Sequence, residues 1–132
     1  MASSLYLVVP CYKEEEVLPE TSKRLCEKMK SLISMGKISS NSKILFINDG
    51  STDSTWNIIC ELHRKNSIFA GINLSKNRGH QNALLAGLMT AKDFADVVIS
   101  MDADLQDDIN TIDEMINAFK SGFDIVYAMS ST

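Results

Sequence analysis

The chain has 132 residues, 45% of them hydrophobic and 23% charged, a length that fits a single domain over residues 1–132 able to bury a core without staples. Its net charge of −4 gives no support to binding nucleic acid through a basic face, and a phosphate-bearing ligand would have to draw much of its positive charge from a metal. Cys11, Cys26 and Cys60 are odd in number and form no C-x-x-C pair, which argues against a disulfide framework or zinc site and fits buried or half-buried thiols in a reducing cytoplasm.

In chain order, Leu5 to Val9 predicts a buried strand. A helix follows over Leu18 to Met35, where Leu18, Leu25, Met29, Leu32 and Ile33 share one face. Pro19 is tolerated because it falls in the first turn. Gly36 to Ser42 reads as a polar loop and Lys43 to Asn48 as a second strand. Thr52 to Lys65 predicts a second helix with Trp56, Ile59 and Leu62 toward the core. Ile68 to Leu74 is a third strand, Gln81 to Ala91 a third helix rich in small residues, and Asp96 to Met101 a fourth strand. Ile109, Ile112, Ile116 and Phe119 mark a fourth helix, and Asp124 to Ala128 a fifth strand. Strands alternating with helices at this spacing imply an α/β protein, three-layered, with a mainly parallel sheet covered on both faces. The sheet is expected to stop after about five strands, without a closing helix. No secretory signal or membrane-spanning run is visible in the sequence.

In an open parallel sheet, ligands bind outside the carboxyl ends of the strands. Four polar segments fall at such ends. After the first strand come Pro10, Cys11, Tyr12, Lys13, Glu14, Glu15 and Glu16. Tyr12 could stack on a base and Glu14 could accept from base or ribose donors; the glutamates also suit the positive end of a helix dipole. After the second strand, Asp49 stands at the tip, Gly50 allows a tight turn, and Ser51 or Thr52 suits an N-cap. An acid here can engage a ribose or base, although Asp-Gly-Ser is also plain turn chemistry. Asp53 reads as a first-turn dipole residue. After the third strand, Lys76, Arg78 and His80 approach a helix N-terminus, a natural place for phosphate. After the fourth strand, Asp102 and Asp104 could ligate Mg²⁺ or Mn²⁺, with Gln106 as a neutral oxygen ligand; such ions keep positions open for substrate phosphates. A solvated acidic loop is the competing reading. An EF-hand is excluded, because Asp107 stands where it needs glycine and Asp113 where it needs glutamate. Asp107 and Asp108 read as caps for the following helix.

Taken together, these segments resemble the family 2 glycosyltransferases of the GT-A fold. The residues that carry the resemblance are 8–16 (Val-Val-Pro-Cys-Tyr-Lys-Glu-Glu-Glu), 47–55 (Ile-Asn-Asp-Gly-Ser-Thr-Asp-Ser-Thr), 74–81 (Leu-Ser-Lys-Asn-Arg-Gly-His-Gln) and 102–107 (Asp-Ala-Asp-Leu-Gln-Asp). The last two resemble the polyprenyl-phosphate branch, which includes dolichol-phosphate mannosyltransferases and bactoprenol glucosyltransferases. The resemblance implies a GT-A fold and transfer, with inversion, of a hexose from a UDP- or GDP-sugar to a polyprenyl phosphate or another glycan acceptor. It implies that Pro10, Tyr12 and Glu14 border base and ribose and that Asp49 bonds the base. Lys76 and Arg78 would contact phosphate, Asp102 would approach ribose and metal, and Asp104 and Gln106 would bind Mg²⁺ or Mn²⁺. Lys13 stands where many members have Asn, and Lys76 where Arg is usual, which makes the phosphate contact a point charge rather than a planar fork. The family's catalytic domain is longer, and its catalytic base and acceptor-side groups are expected beyond residue 132. The chain is thus expected to be the N-terminal, nucleotide-sugar-binding half of an enzyme working in the cytoplasm or at the cytoplasmic face of the membrane.

A competing class is a non-catalytic nucleotide-binding or interaction module that pairs, by strand addition or by dimerisation, through the open sheet edge at the C-terminal end. A nicotinamide-dependent dehydrogenase is disfavoured, since no G-x-G-x-x-G follows the first strand. A response-regulator-like pocket would need an aspartate after that strand, where this chain has glutamates.

Overall fold

The structure is a computed structural model that describes residues 2–104 and 109–120 and, for the backbone alone, residues 126–128. Among the described residues, five strands, β1 (Leu5–Cys11), β2 (Lys43–Asp49), β3 (Phe69–Leu74), β4 (Val97–Ser100) and β5 (Val126–Ala128), alternate with four helices, α1 (Leu18–Ser34), α2 (Thr55–Lys65), α3 (His80–Ala91) and α4 (Thr111–Lys120). The strands form one sheet in the order β3-β2-β1-β4-β5, and every pairing is parallel. The expected α/β arrangement stands, with "mainly parallel" sharpened to parallel throughout the described strands. Among the described strands the sheet has two edges, β3 as well as the β5 edge expected at the C-terminal end.

Alternation along the strands divides the core between two faces. Leu5, Leu7, Val9, Ile44, Phe46, Val97 and Ile99 pack with Leu18, Leu25, Met29 and Leu32 of α1, Ile59 of α2, and Ile112 and Ile116 of α4. Val8, Leu45, Ile47 and Val98 pack on the opposite face with Ala83 and Ala91 of α3. The small residues of α3 have a steric reason. A Cβ on Gly87 would lie 2.4 Å from Val8 Cγ1 and 2.7 Å from Ile47 Cδ1, so Ala83, Gly87 and Ala91 form the stripe that lets the helix backbone come down onto the sheet centre. Edge strand β3 is the exception to continuous burial: Gly71 and Asn73 are exposed, because only one neighbouring strand covers it.

Helix boundaries follow local chemistry. Pro19 sits in the first turn of α1, where its missing N–H leaves nothing unsatisfied. At the other end the N–H of Lys37 bonds the Leu32 carbonyl and the N–H of Gly36 that of Ile33, with Gly36 at φ +71°. This is a Schellman arrangement that requires a left-handed residue, so α1 ends one residue before the expected Met35. α2 starts at Thr55, three residues later than expected, with Ser54 rather than Ser51 or Thr52 at the N-cap and no side-chain cap from it. β4 starts after Asp96, whose carboxylate is engaged by the N–H of Ser4 at 2.9 Å; its ladder still reaches Met101, whose N–H bonds the Val8 carbonyl at 3.0 Å. Residue 124, expected in the fifth strand, lies outside the described residues.

Candidate functional site

The strand order places a topological switch between β1 and β4: the chain steps from β1 outward to β2 and β3, then crosses back to the other side of β1. Loops leaving two such strands diverge and leave a crevice between them. The segment after β1, with Tyr12 and Glu14, and the segment after β4, with Asp102 and Asp104, are therefore the two that flank it. Register puts Cys11 level with Asn48 and Asp49 level with Leu74, so the ends of β2 and β3 open on the same side.

The loop after β1 and the turn after β2 are bonded into one unit. The N–H of Lys13 donates to Ser51 Oγ at 2.9 Å, and the N–H of Glu14 donates to the buried Thr55 Oγ1 at 2.9 Å. The N–H of Ser54 donates to Glu15 Oε2 at 3.3 Å. The Thr55 hydroxyl in turn donates to Asp53 Oδ1 at 2.5 Å, as does the Thr55 N–H at 3.0 Å. Asp53 thus lies ahead of α2 as its capping acceptor, and the expectation that it occupies the first turn is corrected. Burial works to raise its pKa, but the hydrogen bonds from the Thr55 hydroxyl and N–H outweigh it and hold the carboxyl below its ordinary value. Glu14 to Val17 form a turn rather than the helix N-terminus, the N–H groups of Val17 and Leu18 both bonding the Glu14 carbonyl. Glu20 is the acid in the first turn of α1, a correction to the dipole reading of Glu14, Glu15 and Glu16. Beside this unit lies a crevice of about 580 Å³ lined by Lys13, Glu14, Glu15, Glu16, Val17, Thr52 and Asp53.

Asp49 at the tip of β2 is 3% exposed. Its Oδ1 accepts the backbone N–H of Arg78 at 2.6 Å, so one carboxylate oxygen holds the loop after β3. Gly50 beneath it has φ +67°, and a Cβ there would stand 2.2 Å from Asn77 N and 2.4 Å from the carbonyl carbon of Lys76. Asn48, also buried, donates from Nδ2 to Asn73 Oδ1 at 2.8 Å, while its own Oδ1 accepts the Ser51 N–H at 3.3 Å. The side chains of Lys76, Arg78 and His80 are exposed, and His80 opens α3. Pro10 is buried at the end of β1. Tyr12 is 42% exposed, with Lys13 Nζ 5.3 Å from its ring centroid. Lys13 adopts φ +54°, the left-handed region that Asn tolerates better than Lys.

On the β4 side, Met101 and Ala103 are buried, Asp102 is half-buried and Asp104 exposed. Thr21 of α1 donates its hydroxyl to the Ala103 carbonyl at 2.5 Å. Burial and then the negative charges of Asp104, Asp53 and Asp102 push the Glu14 carboxyl above its usual range. The Cys11 thiol is raised too, by burial first and Glu14 second, in keeping with an inert core cysteine. Gln106, Asp107 and Asp108 lie outside the described residues. Among the described residues no three His, Cys, Asp or Glu side chains close on one point. An oxygen-only pair such as Asp102 and Asp104 nevertheless suits a hard divalent cation, which is held by one or two carboxylates plus substrate phosphates. Sequence reasoning missed Thr21, Thr55, Asn48 and Asn73. Asn48 and Thr55 carried a signal, as members of the 47–55 run; Thr21 and Asn73 carried none.

A parallel α/β sheet with an acidic switch-point crevice is the frame in which the comparisons with known proteins fall. The chain belongs to glycosyltransferase family 2: Glycosyl transferase family 2 matches residues 6–130. It is 49% identical over 125 residues to the uncharacterized glycosyltransferase YkoT of Bacillus subtilis (strain 168), covering 95% of this chain and 37% of the relative. It is 38% identical over 127 residues to the prophage bactoprenol glucosyl transferase homolog of Escherichia coli (strain K12), covering 95% of this chain and 38% of the relative. The chain therefore spans less than two fifths of these relatives' length. The structure of S. aureus TarS 1-349 superimposes with a TM-score of 0.63 at 20% identity, covering 89% of this chain and 32% of that one; the GT-A fold expected from the motifs is thereby confirmed. No helix among the described residues is long and apolar enough to cross a membrane.

Proposed function

We propose that this chain is the donor-binding part of a glycosyltransferase that moves a hexose from a UDP- or GDP-sugar to a polyprenyl phosphate, with inversion. The single observation that carries this reading is the placement of the segment with Tyr12 and Glu14 and the segment with Asp102 and Asp104 at the carboxyl ends of β1 and β4, the two strands of the topological switch point, where a parallel sheet binds its ligands. Two likenesses support it. A structure of S. aureus TarS 1-349 in complex with UDP shares the fold, with a TM-score of 0.56 at 23% identity over 76% of this chain and 27% of that one. A relative from Aeromonas hydrophila, 33% identical over 124 residues, is an undecaprenyl-phosphate 4-deoxy-4-formamido-L-arabinose transferase; the match covers 93% of this chain and 36% of that relative.

In this reading Tyr12 stacks on the base, with Pro10 and Glu14 bordering base and ribose. Asp49 offers the base the carboxylate oxygen that Arg78 N–H does not use. Lys76 and Arg78 lie on the phosphate side, and Asp102, Asp104 and Gln106 hold Mg²⁺ or Mn²⁺. A divalent cation there would supply positive charge to the departing nucleoside diphosphate. The acids would otherwise repel that diphosphate, so binding must be metal-dependent. The acceptor-side groups and the catalytic base are assigned to no residue of this chain. A polyprenyl phosphate acceptor would put the working enzyme at the cytoplasmic face of a membrane.

Calorimetric titration with UDP-glucose and with GDP-mannose, each with and without Mn²⁺, tests the reading. One nucleotide-sugar should bind only with the metal, and Asp104→Asn should remove that dependence while leaving the unfolding midpoint unchanged. Absence of metal-dependent binding to either donor would sink it.

A further inference from the structure

The loop that follows β4 is held from α1, and both holding contacts come from residues far away in sequence. Thr21 and Lys28 are seven residues apart, two turns of helix, and so lie on the same side of α1. The Thr21 hydroxyl is buried and donates to the Ala103 carbonyl at 2.5 Å, the carbonyl that sits between the two aspartates. A threonine inside a helix commonly returns its proton to a carbonyl one turn back; this one spends its single proton on a chain segment 82 residues away. Lys28 Nζ donates to Asn110 Oδ1 at 3.1 Å and to Asp113 Oδ2 at 2.7 Å, tying down the entry to α4. Both side chains of the Lys28–Asp113 pair are largely withdrawn from solvent, at 20% and 27% exposure.

We propose that Thr21 and Lys28 are positioning residues, which use α1 as a fixed rail to set the Asp102 and Asp104 carboxylates at the spacing a donor-bound divalent cation requires. The inference rests on the reading of Asp102 and Asp104 as cation ligands given above. With Thr21 bonded to the Ala103 carbonyl, the Ala103–Asp104 peptide plane is held, and with it the direction in which Asp104 leaves the chain relative to Asp102. Lys28 fixes Asn110 and Asp113, the described residues that lead into α4 beyond the aspartates. Groups that orient a metal's ligands carry about 10- to 100-fold in affinity.

The experiment uses the full chain. Thr21→Val keeps the side-chain shape and removes the hydroxyl, and Thr21→Ser restores it. Lys28→Met removes the far anchor at a partly exposed site. Mn²⁺ affinity is read by electron paramagnetic resonance in the presence of UDP-glucose or GDP-mannose, and amide hydrogen exchange at Ala103 and Asp104 is read in metal-free protein. Thr21→Val is expected to weaken Mn²⁺ about tenfold and to speed exchange at both amides. Thr21→Ser should restore both readouts, and Lys28→Met should weaken Mn²⁺ by less. Unchanged Mn²⁺ affinity in Thr21→Val, or no recovery in Thr21→Ser, overturns the proposal. If Thr21→Val does not fold, Lys28→Met decides: unchanged Mn²⁺ affinity and exchange there overturn it. Asp104→Asn separates the two levels. Loss of Mn²⁺ in that variant with none in Thr21→Val sinks the positioning role alone, whereas a wild-type chain that binds no Mn²⁺ sinks both.

Discussion

On the β1–β2 side of the crevice the loops hold one another. Lys13 and Glu14 bond Ser51 and Thr55, Asp49 bonds Arg78, and Gly50 lets the Lys76–Asn77 backbone lie directly against it. On the β4 side the loop with Asp102 and Asp104 is held from behind, by one buried hydroxyl and one lysine of α1. The first wall is a lattice of motif residues bonded to motif residues. The second depends on residues outside any motif. Damage to the first should therefore spread through the fold, and damage to the second should stay in the loop it supports.

The largest effect that would test this contrast is at Gly50. Gly50→Ala adds a left-handed penalty to a clash with three backbone atoms of Lys76 and Asn77, and urea unfolding should show a loss of about 2–4 kcal/mol. A loss below about 1 kcal/mol would mean that the loop after β3 yields freely and that this wall is not a lattice. Next come Thr55→Val and Thr21→Val. Each removes a buried hydroxyl and leaves a backbone group unsatisfied, at about 1–3 kcal/mol. Because the two sites share no partner, their effects should add in the double variant within about 0.5 kcal/mol; strong coupling would merge the two walls into one unit. Lys13→Asn should go the other way, stabilising by about 0.5–1 kcal/mol by easing φ +54°, since the bond from residue 13 to Ser51 uses only the backbone.

The smallest effect is a pH dependence. Glu14 has its pKa raised in the folded state, by burial first and then by Asp104, Asp53 and Asp102. The folded protein then binds the proton more tightly than the unfolded chain, so stability falls as pH rises from the ordinary glutamate value, about 4.3, through the raised one. In metal-free protein, Glu14→Gln should gain stability over wild type at pH 7, and the gain should vanish below about pH 4. A gain that persists in acid would assign the effect to packing instead of charge.

Much of this was legible in the residues themselves. The five apolar runs and the amphipathic helical periods determine the α/β class. The turn residues between them place Asp49, Glu14 and Asp102 at strand ends, because a parallel sheet brings its carboxyl ends to one side. The boundaries near the crevice were less legible. Thr52 to Ser54 satisfy helical spacing, yet α2 waits until Thr55 because Asp53 is engaged as the acceptor for Thr55 and Ser51 for Lys13. Local propensity does not register a competitor 38 residues away.

The sequence by itself determined which residues are apolar, where the strands fall and which acids stand at their ends, since periodicity and turn chemistry are local and act within a few residues. The tertiary structure alone decided the order of the strands, and with it the switch point that sets Glu14 against Asp102 and Asp104. It also decided that Thr21 holds Ala103 and that Asp49 spends one oxygen on Arg78. Those choices depend on which buried donor meets which buried acceptor once the chain has packed, and a buried polar group must find its partner wherever the fold brings one.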